Sequence, residues 1–161
     1  WLRSRGYQGM RGAFARGSKG EGFSSSGGSL KLSSEQAKAI VRSLKFRDGL
    51  VTAVARDFKT KDVLMVAHMN RRAVLKTLTT GLMHYWSRSR RKLWLKGEQS
   101  RHYQRVRGVF VDCDGDALVF DVEQTGGACH EGYWSCFYRK VEKGKLIPVL
   151  KKVFDPKKTY R

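Results

Sequence analysis

The amino-acid sequence predicts an α+β fold: a strand-rich single domain with two short helices. Three observations lead there. The chain has 161 residues, 40% hydrophobic and 11% aromatic, enough for one domain with a proper core and too few for two. Two segments place apolar residues at helical spacing behind a capping side chain. The other apolar runs are short and rich in Val, Tyr, Trp and Phe, as strands are. There is no internal repeat, and no apolar run approaches the roughly 18–20 residues that span a bilayer.

In chain order, residues 1–32 form a Gly/Ser/Arg-rich basic arm, expected to be flexible or loosely docked because it has no periodic apolar face. "SSEQAKAIVRSLKF" follows, with Ser33 or Ser34 as N-cap and Ala37, Ile40, Val41 and Leu44 on one helical face. "LVTAVARD" and "DVLMVAHM", separated by "FKTK", read as a hairpin or two neighbouring strands. "NRRAVLKTLTTG" has Asn70 as cap, Ala73, Val74 and Leu78 facing inward, and Gly81 as stop. From Leu82 onward "LMHYWS", "KLWLK", "YQRVRGVFVD", "ALVFDVEQ", "YWSCFYRKVE" and "KLIPVL" are all of strand type. Residues 33–150 therefore make the domain, and 151–161 a basic C-terminal tail.

Charge bounds the partners. Against 14 acidic residues stand 33 Lys and Arg, a formal +19, which favours anionic ligands: nucleic acid, acidic lipid or a multiply phosphorylated small molecule. Three cysteines cannot all pair within one chain, and the N-terminal stretch has no signal-peptide core. Reduced thiols in a reducing compartment, the cytoplasm, are expected. The acid-poor Arg/Ser arm also resembles an organellar transit peptide, so that address stays open. The sequence starts at Trp1 rather than Met, leaving open whether residues precede it.

All three thiols fall within "DCDGDALVFDVEQTGGACHEGYWSCF". On an extended chain "DCDGD" puts Asp112, Asp114 and Asp116 on one side and Cys113 on the other. Carboxylates suit a hard cation such as Mg²⁺, thiolates suit zinc. Cys113, Cys129 and Cys136 are sixteen and seven residues apart, unlike the paired C-x-x-C of structural zinc. Three ligands would leave a tetrahedral position for water, as in catalytic sites. His130, pointing away from Cys129, suits an acid/base role more than ligation. Spacing alone leaves a catalytic zinc and inert thiols beside an acidic turn both open. A calcium loop fails because Ala117 stands where glycine belongs, and the H-x-E and P-C-x-x-C pattern of zinc deaminases is missing.

"HYWSRSRRKLWLKGEQS", residues 84–100, packs five cations, two Trp, one Tyr and three Ser into 17 residues. It reads either as an amphipathic strand or, beside a metal, as a phosphate pocket.

"DGLVTAVARD", "VLMVAHMN", "HYWSRSRRKLWLKGEQS", "VDCDGD", "EQTGGACHEG" and "SCFYRK", from about Asp48 to Lys140, together resemble the phosphoribosyl-AMP cyclohydrolase family. The resemblance implies hydrolytic opening of the adenine ring of N1-(5-phosphoribosyl)-AMP between N1 and C6, a step of histidine biosynthesis. It implies zinc on Cys113, Cys129 and Cys136, magnesium on Asp112, Asp114 and Asp116, and His130 as acid/base. Ser87, Arg88, Ser89 and Arg90 become substrate contacts, with Trp94, Lys96, Gly97 and Glu98 as the adjoining wall. It also implies an intertwined homodimer whose zinc site takes cysteines from both subunits. There are three departures: Arg101 where the family has glycine after Ser100, His68 where an aromatic is usual, and Arg71–Arg72 where acids are common. After Lys140 only 21 residues remain, too few for the pyrophosphohydrolase domain some members carry. A nucleic-acid-binding module with structural zinc is the alternative, and it predicts binding that falls steeply with salt.

Overall fold

The two apolar runs after Asp48 pair as a hairpin and seed the main sheet. The computed structural model describes residues 28–160. In chain order these form α1 (Ser34–Ser43), β1 (Val51–Asp57), β2 (Val63–Met69), α2 (Arg71–Thr80), β3 (His84–Ser87), β4 (Lys92–Leu95), β5 (Gln104–Val111), β6 (Ala117–Gln124), β7 (Arg139–Glu142), β8 (Lys145–Pro148) and α3 (Pro156–Thr159). The strand-rich α+β class holds. No described helix is long and apolar enough to cross a membrane.

The main sheet has the order β2-β1-β6-β5. β1 alternates buried and half-buried residues along its length, so Val51, Ala53 and Ala55 face the core. β1 and β2 are antiparallel, Val51 opposite Met69, whereas β1 and β6 run parallel, Thr52 opposite Ala117. A parallel join needs a long crossover, and here the chain passes through β2, α2, the β3–β4 hairpin and β5 before reaching β6. Ala37, Val41 and Leu44 of the first helical segment and Ala73, Val74 and Leu78 of α2 share one core cluster with Leu64, Met69, Tyr85 and Phe120.

Local chemistry fixes both helix ends. Ser33 Oγ accepts from the Gln36 amide (3.2 Å) and Gln36 Oε1 accepts from the Ser33 amide (3.0 Å), a reciprocal cap. Asn70 Oδ1 accepts from the Ala73 amide at 2.8 Å. Gly81 ends α2 at φ 71, its N–H bonded to the Thr77 carbonyl. A Cβ there would also collide with Ser29 Oγ and lie 2.9 Å from the Leu30 carbonyl.

That contact belongs to the end of the expected arm. Leu30 N–H bonds Val106 O (2.7 Å), Leu32 N–H bonds Leu78 O (2.8 Å), and both leucines pack on the core. Residues 28–32 are thus docked; the rest of the arm lies outside the described residues.

Three expectations change. "YWSCFYRKVE" is a strand only over Arg139–Glu142; residues 133–138 fold irregularly because their polar groups bond across to other segments, Ser135 Oγ to Val63 O at 2.7 Å among them. "DCDGD" is the turn between β5 and β6, so the alternation assumed for an extended chain does not hold. A third helix, α3, adds one turn within the tail. β7 and β8 form a hairpin through Lys143 (φ 47) and Gly144 (φ 74), the pair of left-handed residues a two-residue hairpin turn requires.

Beneath the site, Tyr85 Oη donates to Gln104 Oε1 (2.7 Å) and Gln104 Nε2 donates to Gln124 Oε1 (2.8 Å), all three residues buried. Replacing Gln104 by Met strands both neighbours and should cost about 2–4 kcal/mol, read as a lower urea midpoint at unchanged slope.

Candidate active site

Residues 84–100 build a hairpin and the turn that follows it. β3 and β4 pair with Tyr85 opposite Trp94, and the two rings sit 5.6 Å apart. Ser87 Oγ accepts from the Arg90 amide at 3.3 Å, curling the Arg88–Arg91 loop, in which Ser89 is exposed. Lys96 is buried, 3% exposed, and its amide bonds Met83 O at 3.0 Å. Gly97, at φ 88, lets the backbone press on His102: a Cβ would meet its carbonyl carbon at 2.6 Å.

Beyond this turn opens a cleft of about 420 Å³. Arg90, Trp94, Lys96, Gly97 and Glu98 line it together with Gln99, Ser100, His130 and Tyr160. Six of the residues singled out in the sequence therefore share one cavity. Gln99, Ser100 and Tyr160 are additions; only the Asp155–Pro156 helix start hinted that the tail was structured.

Two of the thiols, Cys129 and Cys136, adjoin this cleft through Lys96. Burial lowers the Lys96 pKa, and the sulfurs of Cys136 and Cys129 pull it back up. Although Cys136 as a residue is exposed, burial pushes its thiol up to about 11, reinforced by Cys129, with which it shares a hydrogen bond. The loop geometry behind this is specific: the Cys136 amide bonds Leu64 O at 2.8 Å and the Cys129 amide bonds Tyr133 O at 3.1 Å. His102 lies beside the same lysine; burial first, then the Lys96 charge, lowers its pKa.

Cys113 is elsewhere. It is exposed on the β5–β6 turn, its Sγ 3.8 Å from Asp114 Oδ1. Among the described residues no three His, Cys, Asp or Glu side chains form a metal-sized group. The sulfurs divide two and one within a single chain.

The carboxylates are also divided. Asp112 Oδ1 accepts from the amides of Asp116 (3.0 Å) and Ala117 (3.1 Å), and these bonds, Ala117 foremost, hold its carboxyl below the usual range. Asp116 pairs with Arg47 at 2.8 Å, while Asp114 is exposed. Asp116 and Arg47 line a second cleft of about 360 Å³, with Thr52, His68 and Arg88. The Arg88–Arg91 loop thus serves two cavities: Arg90 enters the first, Arg88 the second.

A family model described as phosphoribosyl-AMP cyclohydrolase matches residues 65–138. A phosphoribosyl-AMP cyclohydrolase of Methanothermobacter thermautotrophicus is 60% identical over 116 residues, 70% of this chain and 83% of that protein. This chain belongs to the phosphoribosyl-AMP cyclohydrolase family. A cyclohydrolase of Sulfurisphaera tokodaii is 57% identical over 112 residues, 68% of this chain and 95% of that one. A histidine biosynthesis bifunctional protein of Thermoanaerobacter pseudethanolicus is 48% identical over 122 residues, 75% of this chain and 56% of that one. The chain is accordingly an enzyme, a hydrolase of histidine biosynthesis. All three thiols, the aspartates, His130 and residues 87–98 fall inside the matched span; Tyr160 falls outside it.

One departure from the family pattern has a structural answer. Arg101 adopts φ 63, the left-handed conformation that glycine takes freely, and its amide bonds Gly97 O at 2.9 Å. The turn keeps a glycine-type backbone at a strain of about 1 kcal/mol. Arg101→Gly should therefore raise the unfolding free energy by about 0.5–1 kcal/mol, measured by urea denaturation.

Proposed function

We propose that this cyclohydrolase opens the adenine ring of N1-(5-phosphoribosyl)-AMP between N1 and C6 in the cleft lined by Lys96 and His130, with zinc held by Cys129, Cys136 and the Cys113 of a second copy. The observation that carries this is the convergence of Arg90, Trp94, Lys96 and His130 on one cavity beside two packed thiols. Thiolate sulfur suits zinc. Burial and the neighbouring Cys129 push the Cys136 thiol up, and a bound divalent cation would favour its ionised form. When bound, zinc supplies a Lewis acid that makes water nucleophilic near neutral pH.

The chain's own residues do the rest. His130 takes a proton as water oxygen bonds to C6, and returns one to N1 as the C6–N1 bond breaks. Trp94 offers an aromatic face to the base, and Lys96 and Arg90 provide positive charge for anionic oxygen and phosphate. Gly97 and Glu98 complete the wall. Ser87, Arg88 and Ser89 extend the substrate contacts toward the second cleft, which suits a substrate with two phosphate groups. Asp112, Asp114 and Asp116 would be the residues to hold magnesium, which takes hard oxygen ligands and would offset phosphate charge there; Asp116 would have to exchange its pairing with Arg47 for it.

A homodimer is part of this reading on two grounds. Cys113 needs a route to Cys129 and Cys136 that one chain does not provide. Apolar side chains also lie open where a partner could cover them: Val141 is 72% exposed, Leu146 57% and Phe110 44%. Reduced thiols at the site call for a reducing compartment, the cytoplasm or an organelle interior. The Arg88–Arg91 loop divides between two clefts, each suited to a small anion.

Ultraviolet-monitored ring opening by the purified protein tests the proposal. Turnover should disappear with a chelator and return with zinc. Cys129→Ser should lose bound zinc and at least about a hundredfold of activity together, and full turnover by that variant would end the proposal.

A further inference from the structure

Tyr160 enters the first cleft from outside the matched family span. It lines the same space as Trp94, Lys96 and His130, and its placement is built rather than incidental. The turn before it is preset: Asp155 Oδ1 accepts from the Lys157 amide (3.0 Å), Pro156 occupies the first helical turn, and the Tyr160 amide bonds Pro156 O at 2.9 Å. The segment is anchored to the thiol loop, with the Val153 amide bonding Gly132 O at 2.7 Å and the Phe154 ring meeting the His102 ring edge-on at 4.4 Å. Two glycines make room for that anchor. A Cβ on Gly127 would lie 2.7 Å from the Phe154 ring, and one on Gly132 would lie 2.5 Å from its carbonyl oxygen.

Phe154 is consumed in this packing, whereas Tyr160 remains 39% exposed at the cavity, 6.3 Å from the Phe154 ring. An aromatic ring held by such scaffolding and left open toward a cleft has the chemistry of a face for a planar heterocycle. We propose that Tyr160 is a substrate-contact residue whose ring binds the purine of the nucleotide, with Trp94 as the second aromatic surface of the same cleft. The identity of that nucleotide rests on the cyclohydrolase reading. The consequence is that the basic tail forms part of the site, and that affinity depends on Phe154 holding it there.

The test uses the full zinc-loaded chain. Tyr160→Ala should raise KM about 5–20-fold with kcat within about twofold, and leave the thermal midpoint unmoved because the ring is not core. Tyr160→Phe, which keeps the ring, should recover most of that loss. Phe154→Ala should raise KM as well, and the double variant should be little worse than Tyr160→Ala, since both act through one ring. A parallel titration with 5′-AMP, followed by tryptophan fluorescence, should show affinity weakened by a similar factor in Tyr160→Ala. Unchanged KM and AMP affinity in Tyr160→Ala, or a loss in Tyr160→Phe equal to that in Tyr160→Ala, would overturn the inference. If the wild-type chain fails to open the ring, the cyclohydrolase reading falls, and the AMP titration alone still decides the role of Tyr160.

Discussion

The hydrogen bond from the Cys136 amide to the Leu64 carbonyl, 2.8 Å long, ties the thiol loop to the edge of the main sheet. Ser135 strengthens the same seam through its hydroxyl to Val63. Because Cys129 is placed by its own bond to Tyr133, these few contacts decide that two sulfurs meet beside Lys96. A loop without periodic structure can hold such a geometry only if its polar groups are bonded elsewhere, and here the sheet edge and the tail accept that role. The glycines at 127 and 132 make the close approach sterically possible.

Much of the fold was legible because its signals are local. Ser33 with Gln36, and Asn70 with Gly81, bracket the helices through their own side chains and backbone, so three or four residues suffice to read each end. The β1–β2 hairpin followed from two apolar runs and a short polar link. Residues 133–138 read as strand because Tyr133, Trp134, Phe137 and Tyr138 have strand-type side chains, while their backbone bonds form no ladder: Tyr133 O accepts from the Cys129 amide, Trp134 O from the Ala128 amide, and the Cys136 amide reaches Leu64 O. Tyr133 and Tyr138 stack on each other instead, ring centroids 3.7 Å apart, a contact that no period in the sequence announces.

The site was legible in composition and less so in partition. The family resemblance groups Arg90, Trp94, Lys96, Gly97, Glu98 and His130, and one cleft gathers them. That Arg88 turns to the other cleft depends on the Ser87–Arg90 bond curling the loop, a three-dimensional detail. The aspartates illustrate the same limit: Asp112 spends one oxygen on its own turn, so its presence in "DCDGD" is partly structural. Several cations of the basic surface are structural as well. Arg56 and Lys61 both pair with Asp121, Arg107 with Glu123, and Arg71 lies 4.4 Å over the Phe46 ring, so the formal charge overstates what is free to meet a ligand.

With the sulfurs divided two and one within a chain, a complete zinc site needs two chains, and subunit complementation reads that out. Cys113→Ser and Cys129→Ser, each inactive alone, are unfolded together in equal amounts and refolded with zinc. In a symmetric dimer with shared ligands, half of the dimers are mixed and each restores one complete site, giving roughly a quarter of wild-type turnover. A mixture no more active than its parents would contradict the shared site.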